Sequence, residues 1–335
     1  MSKAAKVTVW SVIAIILTAI LLVLLFGSGH KSFYNVGSVS GYYKDSNLYK
    51  EGNVKADAQS VKNIEIHWIC GDVKIIPHSG SQIEISESIN DGNDELNSKN
   101  SMRYLIKDGK LTVQFTKSYK FFERLFYNVR GKSLTVLIPQ NNLNLDEFSV
   151  NTVSADSIVK SFNGQNLTVN NVSGNIELTD CNLTDKLSLD NVSGTVNIKT
   201  VKADSLKLGT VSGNITLTDT EAEKLDIDTV SGKIKADGSF KEIDGESVSG
   251  DYTVTSATAL NKISFDSVSG CFDLLMPENS GFTADFDGVS GDFNSNFPII
   301  SSNGKKVFGN GSAPYDFDVV SGDVTINRIG GQTAN

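Results

Sequence analysis

The sequence predicts an all-β protein, a parallel β-solenoid (β-helix) of roughly 19-residue coils preceded by one transmembrane α-helix. Three observations predict it. The tripeptide Val-Ser-Gly recurs at near-constant spacing. Apolar and polar residues alternate on both sides of each copy. One uncharged apolar run stands near the N-terminus.

The repeat begins at Val172, Val192, Val211, Val230, Val248, Val268, Val289 and Val320, with spacings of 20, 19, 19, 18, 20, 21 and 31. Val153-Ser154-Ala155 is a further copy, and Ile69-Cys70-Gly71 a degenerate one. Five and three residues before the valine stand apolar residues, such as Leu187 and Leu189 or Leu206 and Leu208. Four and six after it stand others, such as Val196 and Ile198 or Ile215 and Leu217. Period-2 alternation on each side predicts two short strands per unit. The inward register shifts between the −3 position and the valine, so a corner is expected there. The signature glycines, Gly174, Gly194, Gly213, Gly232, Gly250, Gly270, Gly291 and Gly322, supply it, by positive φ or by tolerating close backbone approach.

One such unit cannot bury its own apolar side, but stacking does. Successive units are expected to stack in order, valine on valine, at about 4.8 Å. A right-handed winding is favoured by the crossover rule. The 31-residue interval predicts an insertion near Asn296 to Pro314. The stretch from Asp91 to Asp146 lacks the signature and reads as irregular coils or a cap.

The run from Val7 to Phe26 is long enough to cross a hydrocarbon core. Lys3 and Lys6 precede it, which favours an N-terminus inside the cell and an extracytoplasmic remainder in the cell membrane. A cleaved signal peptide would have a shorter apolar core and a small-residue cleavage site. The expected layout is 1–6 cytoplasmic, 7–26 transmembrane, 27–61 a juxtamembrane linker or cap, 62–147 an irregular part of the solenoid, 148–329 regular repeats, and 330–335 a tail.

The chain has 335 residues and a net charge of −9, which disfavours general nucleic-acid binding. Its three cysteines, Cys70, Cys181 and Cys271, are far apart and in no metal-binding spacing.

The N-terminal anchor, the I-x-I-x-x-x-x-G-D-V-x-I unit at Ile64–Ile75, the L-x-V-x-I-P element at Leu134–Pro139 and the V-S-G units together resemble the bacterial "putative adhesin" family. That family of uncharacterised domains includes LiaG-like envelope proteins. The resemblance covers roughly Lys62 to Ile329. It implies a β-solenoid on the outer side of the membrane and brings no catalytic motif to carry over.

Ordinary catalytic chemistry finds little material. His30 is juxtamembrane, His67 is expected to point outward, and His78 sits in a turn. The candidate chemistry is acidic. Asp226 and Asp228, Asp244 and Glu246, Asp285 and Asp287, and Asp316 and Asp318 occupy the −4 and −2 positions, which face solvent. Stacked carboxylates suit a hard divalent cation such as Ca²⁺. The plainer reading is a solvated acidic face that keeps the solenoid soluble. A second feature interleaves Lys117, Lys120, Arg124, Arg130 and Lys132 with five aromatics. It reads first as a cap packing its rings on the first coils, and second as a contact for membrane or anionic polymer.

Three functions follow as expectations. The favoured one is a non-enzymatic, adhesin-like, scaffold or envelope-stress module with no cofactor, holding an envelope protein or polymer and bound to the membrane through its helix. The alternatives are a carbohydrate-active β-helix enzyme and a Ca²⁺-binding solenoid.

Overall fold

The computed structural model describes residues 43, 45–89, 96, 100–117, 131–140 and 145–329. Val7–Phe26 lies outside them, as does most of the basic-aromatic segment. Among the described residues no helix is long and apolar enough to cross a membrane. The chain divides into two compact units, one ending at Gly194 and one beginning at Thr195. Each is a stack of parallel β-coils.

In the first unit the strand Asn63–His78 pairs in parallel with Glu147–Lys160, which pairs with Asn163–Ser173, which pairs with Ile176–Ser193. In the second, Val196–Thr210, Ile215–Thr229 and Lys233–Ser247 follow one another in parallel register. Apolar residues stack rung on rung: Phe148, Leu167 and Leu187 in one unit, Leu206, Leu225, Ile243 and Ile263 in the other, all buried. Full burial of each such side chain contributes about 1.5–3 kcal/mol.

The coil differs from the expected two-strand unit. Inward positions form three runs. In one coil these are Leu206, Leu208 and Thr210, then Ile215 and Leu217, then Thr220 and Ala222. The inward register therefore continues through the −1 position, which holds Thr152, Asn171, Asn191, Thr210, Thr229, Ser247 and Ser267, every one buried. The valines do line up in register, but they sit on the outer side, half-buried except for the exposed Val289. The physical reason is hydrogen bonding across the corner. Thr210 Oγ1 accepts from the N–H of Gly213 at 3.0 Å, and Ser247 Oγ from that of Gly250 at 2.7 Å. Asn191 Nδ2 donates to the Gly194 carbonyl at 3.1 Å. A polar side chain facing inward ties down the turn three residues later.

The glycines answer a second constraint. A Cβ built on Gly174 would lie 2.5 Å from the Ala155 carbonyl oxygen, and one on Gly250 2.7 Å from that of Gly232. Gly194, Gly232, Gly270, Gly322 and Gly291 are tighter still against the same carbonyl of the neighbouring rung. Gly232, Gly250 and Gly270 show this crowding without a left-handed backbone, so close approach is what these three require. The next corner needs left-handed residues instead: Ser161, Asp180, Thr200 and Asp219 have φ of 49 to 55°. The coil after Asp219 is one residue shorter and skips this position, which appears as a register shift between Leu217 and Thr220.

Both units depart from stacking in sequence order. In the second unit the last coil, Ala313–Ser321 with Val324–Arg328, lies between the coil Lys262–Met276 and the coil Gly281–Ser295. Phe317 thus pairs with Phe265 on one side and Phe286 on the other. The 31-residue interval carries the chain out and back. Its extra residues form a hairpin, Ile300–Ser302 with Lys305–Gly309, that pairs antiparallel with Gly281–Ala284. Phe297 and Phe308 pack there on Phe282 at 5.4 and 5.5 Å between ring centres. In the first unit Asn63–His78 is likewise interior. It lies between Glu147–Lys160 and the later pair Lys110–Gln114 and Lys132–Pro139.

Aromatic rings thicken the core of the second unit. Gly245 breaks the −3 row, and the gap is filled by Tyr252 and Phe265, 5.0 Å apart. The buried Tyr252 hydroxyl donates to the carbonyls of Ile227 and Glu246, within 2.8–2.9 Å.

Gly232→Ala should lower unfolding free energy by about 2–3 kcal/mol in urea denaturation, through overpacking against the next rung. Gly52→Ala, where nothing lies within 4 Å but φ is +84°, should cost about 1 kcal/mol from backbone strain alone. Equal losses at the two sites would contradict the crowding account.

Candidate functional site

The outward positions of the second unit assemble two adjacent rows. The −4 row runs Lys207, Asp226, Asp244, Ser264, Asp316, Asp285; the −2 row runs Gly209, Asp228, Glu246, Asp266, Asp318, Asp287. Parallel in-register pairing brings the sequence-predicted acids together, with the last two rungs exchanged. Asp266 belongs to the same row.

Lysines interrupt this ladder at both ends. Lys207 Nζ stands 3.4 Å from both carboxylate oxygens of Asp226 and 3.5 Å from Asp228. Lys224 donates to Asp244 at 3.0 Å and lies 3.8 Å from Asp226. Lys305, from the hairpin, reaches Asp285 at 2.7 Å. Between these ends like charge accumulates. Burial, then Asp318, Asp244 and Asp316, push the Asp266 carboxyl up to about 6. Burial, then Asp287, Asp316 and Asp285, also raise Asp318. Among the described residues, no group of three or more His, Cys, Asp or Glu is arranged to hold a metal ion.

Other surface charges pair between rungs in the same manner: Lys202 with Glu221 at 2.7 Å, Lys241 with Glu223, and Lys160 with Glu177 at 3.7 Å. His67 faces away from the Ile64 and Ile66 row. Its Nε2 lies 3.2 Å from Glu65, whose other oxygen meets Lys110 Nζ at 2.7 Å. Burial alone would raise the Glu65 carboxyl, but His67 and Lys110 outweigh it and hold it at about 2. No disulfide joins Cys70, Cys181 and Cys271, and Cys181 is buried.

Sequence reasoning placed Lys132 in a basic-aromatic segment, read first as a cap and second as a membrane or polymer contact, and gave it no role of its own. Its Nζ is buried. It donates to Glu87 at 2.6 Å and to the carbonyls of Asn100 and Phe115, both at 2.7 Å. It also lies over the Phe115 and Trp68 rings, at 4.2 and 4.9 Å. Trp68 Nε1 returns a bond to the Lys132 carbonyl at 2.9 Å. Burial lowers the lysine's proton affinity, and Glu87 opposes that shift. Trp68 stands at the −1 position, in register with Thr152. This knot joins strands of the first unit and leaves no donor of Lys132 for a ligand, since an ammonium has three.

Parallel rungs, an outward ladder and corner glycines define a β-solenoid repeat domain. The family described as Toastrack DUF4097 matches residues 61–327, and the chain belongs to it. Among solved structures, the chain is similar to a "putative adhesin" from Bacteroides fragilis. Identity is 14% and the TM-score 0.46, covering 67% of this chain and 97% of that one. It is also similar to a "putative cell adhesion protein" from Clostridium sporogenes, at 10% identity and TM-score 0.22, covering 84% and 99%. No curated protein matches the chain.

Asp266→Asn should raise the melting temperature at pH 8 and lose that advantage below about pH 4. The folded carboxyl binds its proton near 6 and an ordinary one near 3.8, so native stability rises as pH falls between them. Scanning calorimetry of the two proteins across pH checks this; a pH-independent difference would sink it. In the first unit, Lys132→Met should cost about 3–5 kcal/mol by stranding Glu87 in a buried site. The double variant Lys132→Met, Glu87→Met should recover much of that loss in denaturant titration.

Proposed function

We propose that this protein is a non-enzymatic, adhesin-like module. In this reading the apolar run Val7–Phe26 anchors it in the cell membrane, and the solenoid stands outside the cytoplasm and holds an envelope partner. One observation carries the proposal: the polar side chains outside the core are dispersed in rows and paired rung to rung. Lys207 with Asp226 and Asp228, Lys202 with Glu221, and Lys305 with Asp285 exemplify this. Catalysis needs groups converging on one reacting atom. Rows of charge repeated at strand spacing suit an extended partner instead, engaged through many weak contacts. Membership of the Toastrack DUF4097 family and the sequence of the N-terminal segment support the same reading.

The test uses the full chain in native envelopes. Protease added to intact cells should remove the solenoid and leave the N-terminal segment protected. Cross-linking should recover a defined envelope component. Deleting one whole rung, Val211 to Thr229, should keep the β-rich circular dichroism spectrum and weaken that recovery by a modest factor. Protection of the solenoid inside intact cells would refute the placement. Turnover of an envelope polysaccharide abolished by Asp285→Asn with Asp287→Asn would replace the module with an enzyme.

A further inference from the structure

We propose that the open end of the second unit, at Asp285–Ser290, is a docking edge for an extended peptide strand of a partner protein in which basic and apolar residues alternate. The proposal rests on the reading of the chain as a partner-holding solenoid, and it names where on this unit a partner strand would bind and what its chemistry is.

The edge follows from the exchanged coil order. Gly281–Ser290 pairs on one side with Ala313–Ser321 along most of its length. On its other side the hairpin covers only Gly281–Ala284. Ser290 directs its carbonyl to the N–H of Gly322 at 3.0 Å. Ser280 directs its carbonyl to the hairpin N–H of Asn310 at 3.0 Å, and backbone groups alternate in direction along a strand, so Phe286 and Gly288 turn theirs outward. Val289 is 75% exposed, whereas Val320, its counterpart one rung inward, is half-buried. Phe286 and Phe293 are half-buried and lie 6.3 Å apart; Phe317 one rung inward is fully buried. Apolar rows that are sealed inside the unit thus end at a cut face.

Charge selects the occupant. At the other end of the acidic rows the next rung is Lys207, which bridges Asp226 and Asp228. Beyond Asp285 and Asp287 the ladder has no further strand among the described residues. An incoming strand carrying Lys or Arg beside Asp287 repeats the Lys207 arrangement, and its alternate apolar residues extend the Phe286 and Phe293 rows. A second copy pairing edge to edge would set Asp285, Asp287 and Asp292 against like charges, which disfavours self-pairing.

The experiment uses the full chain in detergent and a fluorescent peptide of alternating Lys and Val, with a Glu-Val peptide as comparison, read by anisotropy. The Lys-Val peptide should bind more tightly by about tenfold or more, with the margin shrinking at high salt. Gly288→Pro removes an outward N–H without touching the inner pairing, as edge positions tolerate. It should weaken binding by about fivefold or more, the value of roughly one lost backbone hydrogen bond, with an unchanged circular dichroism spectrum. Asp285→Asn with Asp287→Asn should erase the preference for Lys-Val. Equal binding of the two peptides overturns the proposal. So does binding that survives Gly288→Pro but is lost in Asp244→Asn with Asp266→Asn; that outcome moves the contact to the ladder face and leaves the module reading standing. Sedimentation showing a dimer that Gly288→Pro dissolves also overturns it, in favour of a second copy.

Discussion

Each coil crosses its neighbour at one corner so closely that a glycine on one rung fills the only space left by the carbonyl of the next. That contact sets the approach of the backbones, and the approach brings the flanking strands into hydrogen-bonding register. From register come the apolar rows inside and the charged rows outside. At Thr210, Ser247 and Asn191 the −1 side chain also bonds the backbone of the turn, where an unpaired buried group would cost stability.

Much of this was legible from spacing. The recurring tripeptide and its alternating flanks specify the period, the parallel stacking and the inward identity of residues such as Leu206, Leu208, Ile215 and Leu217. The acids at −4 and −2 were legible for the same reason, because a period-2 pattern assigns faces directly. The third inward run, Thr220 and Ala222 in one coil, was not, because it is short and carries small or polar residues. The −1 row was misassigned because threonine, asparagine and serine look solvent-facing until their bonds to the corner are seen. A signal did exist: the position holds only those three residue types from Thr152 to Ser267.

Other features rest on tertiary context that no local pattern carries. Lys132 sits beside aromatic residues and charges in sequence, and only the fold brings Glu87, Trp68 and two carbonyls around it. The order of the outer coils is equally silent in the repeat, because Val289-Ser-Gly and Val320-Ser-Gly have the same signature. Phe286 and Phe317 likewise match in type. The difference lies in the 31-residue interval, which is long enough for the chain to go out and return.

That return has a consequence for how the second unit is completed. The segment of this unit that comes last in sequence, Ala313–Arg328, is an interior layer flanked on both sides. A chain ending before it would leave Lys262–Met276 and Gly281–Ser295 facing each other across a missing rung, with two sets of strand edges bare. Growth from the N-terminal side alone therefore cannot close this unit. Its outermost coil, though earlier in sequence, can join the stack only after Ala313–Arg328 has been made and inserted.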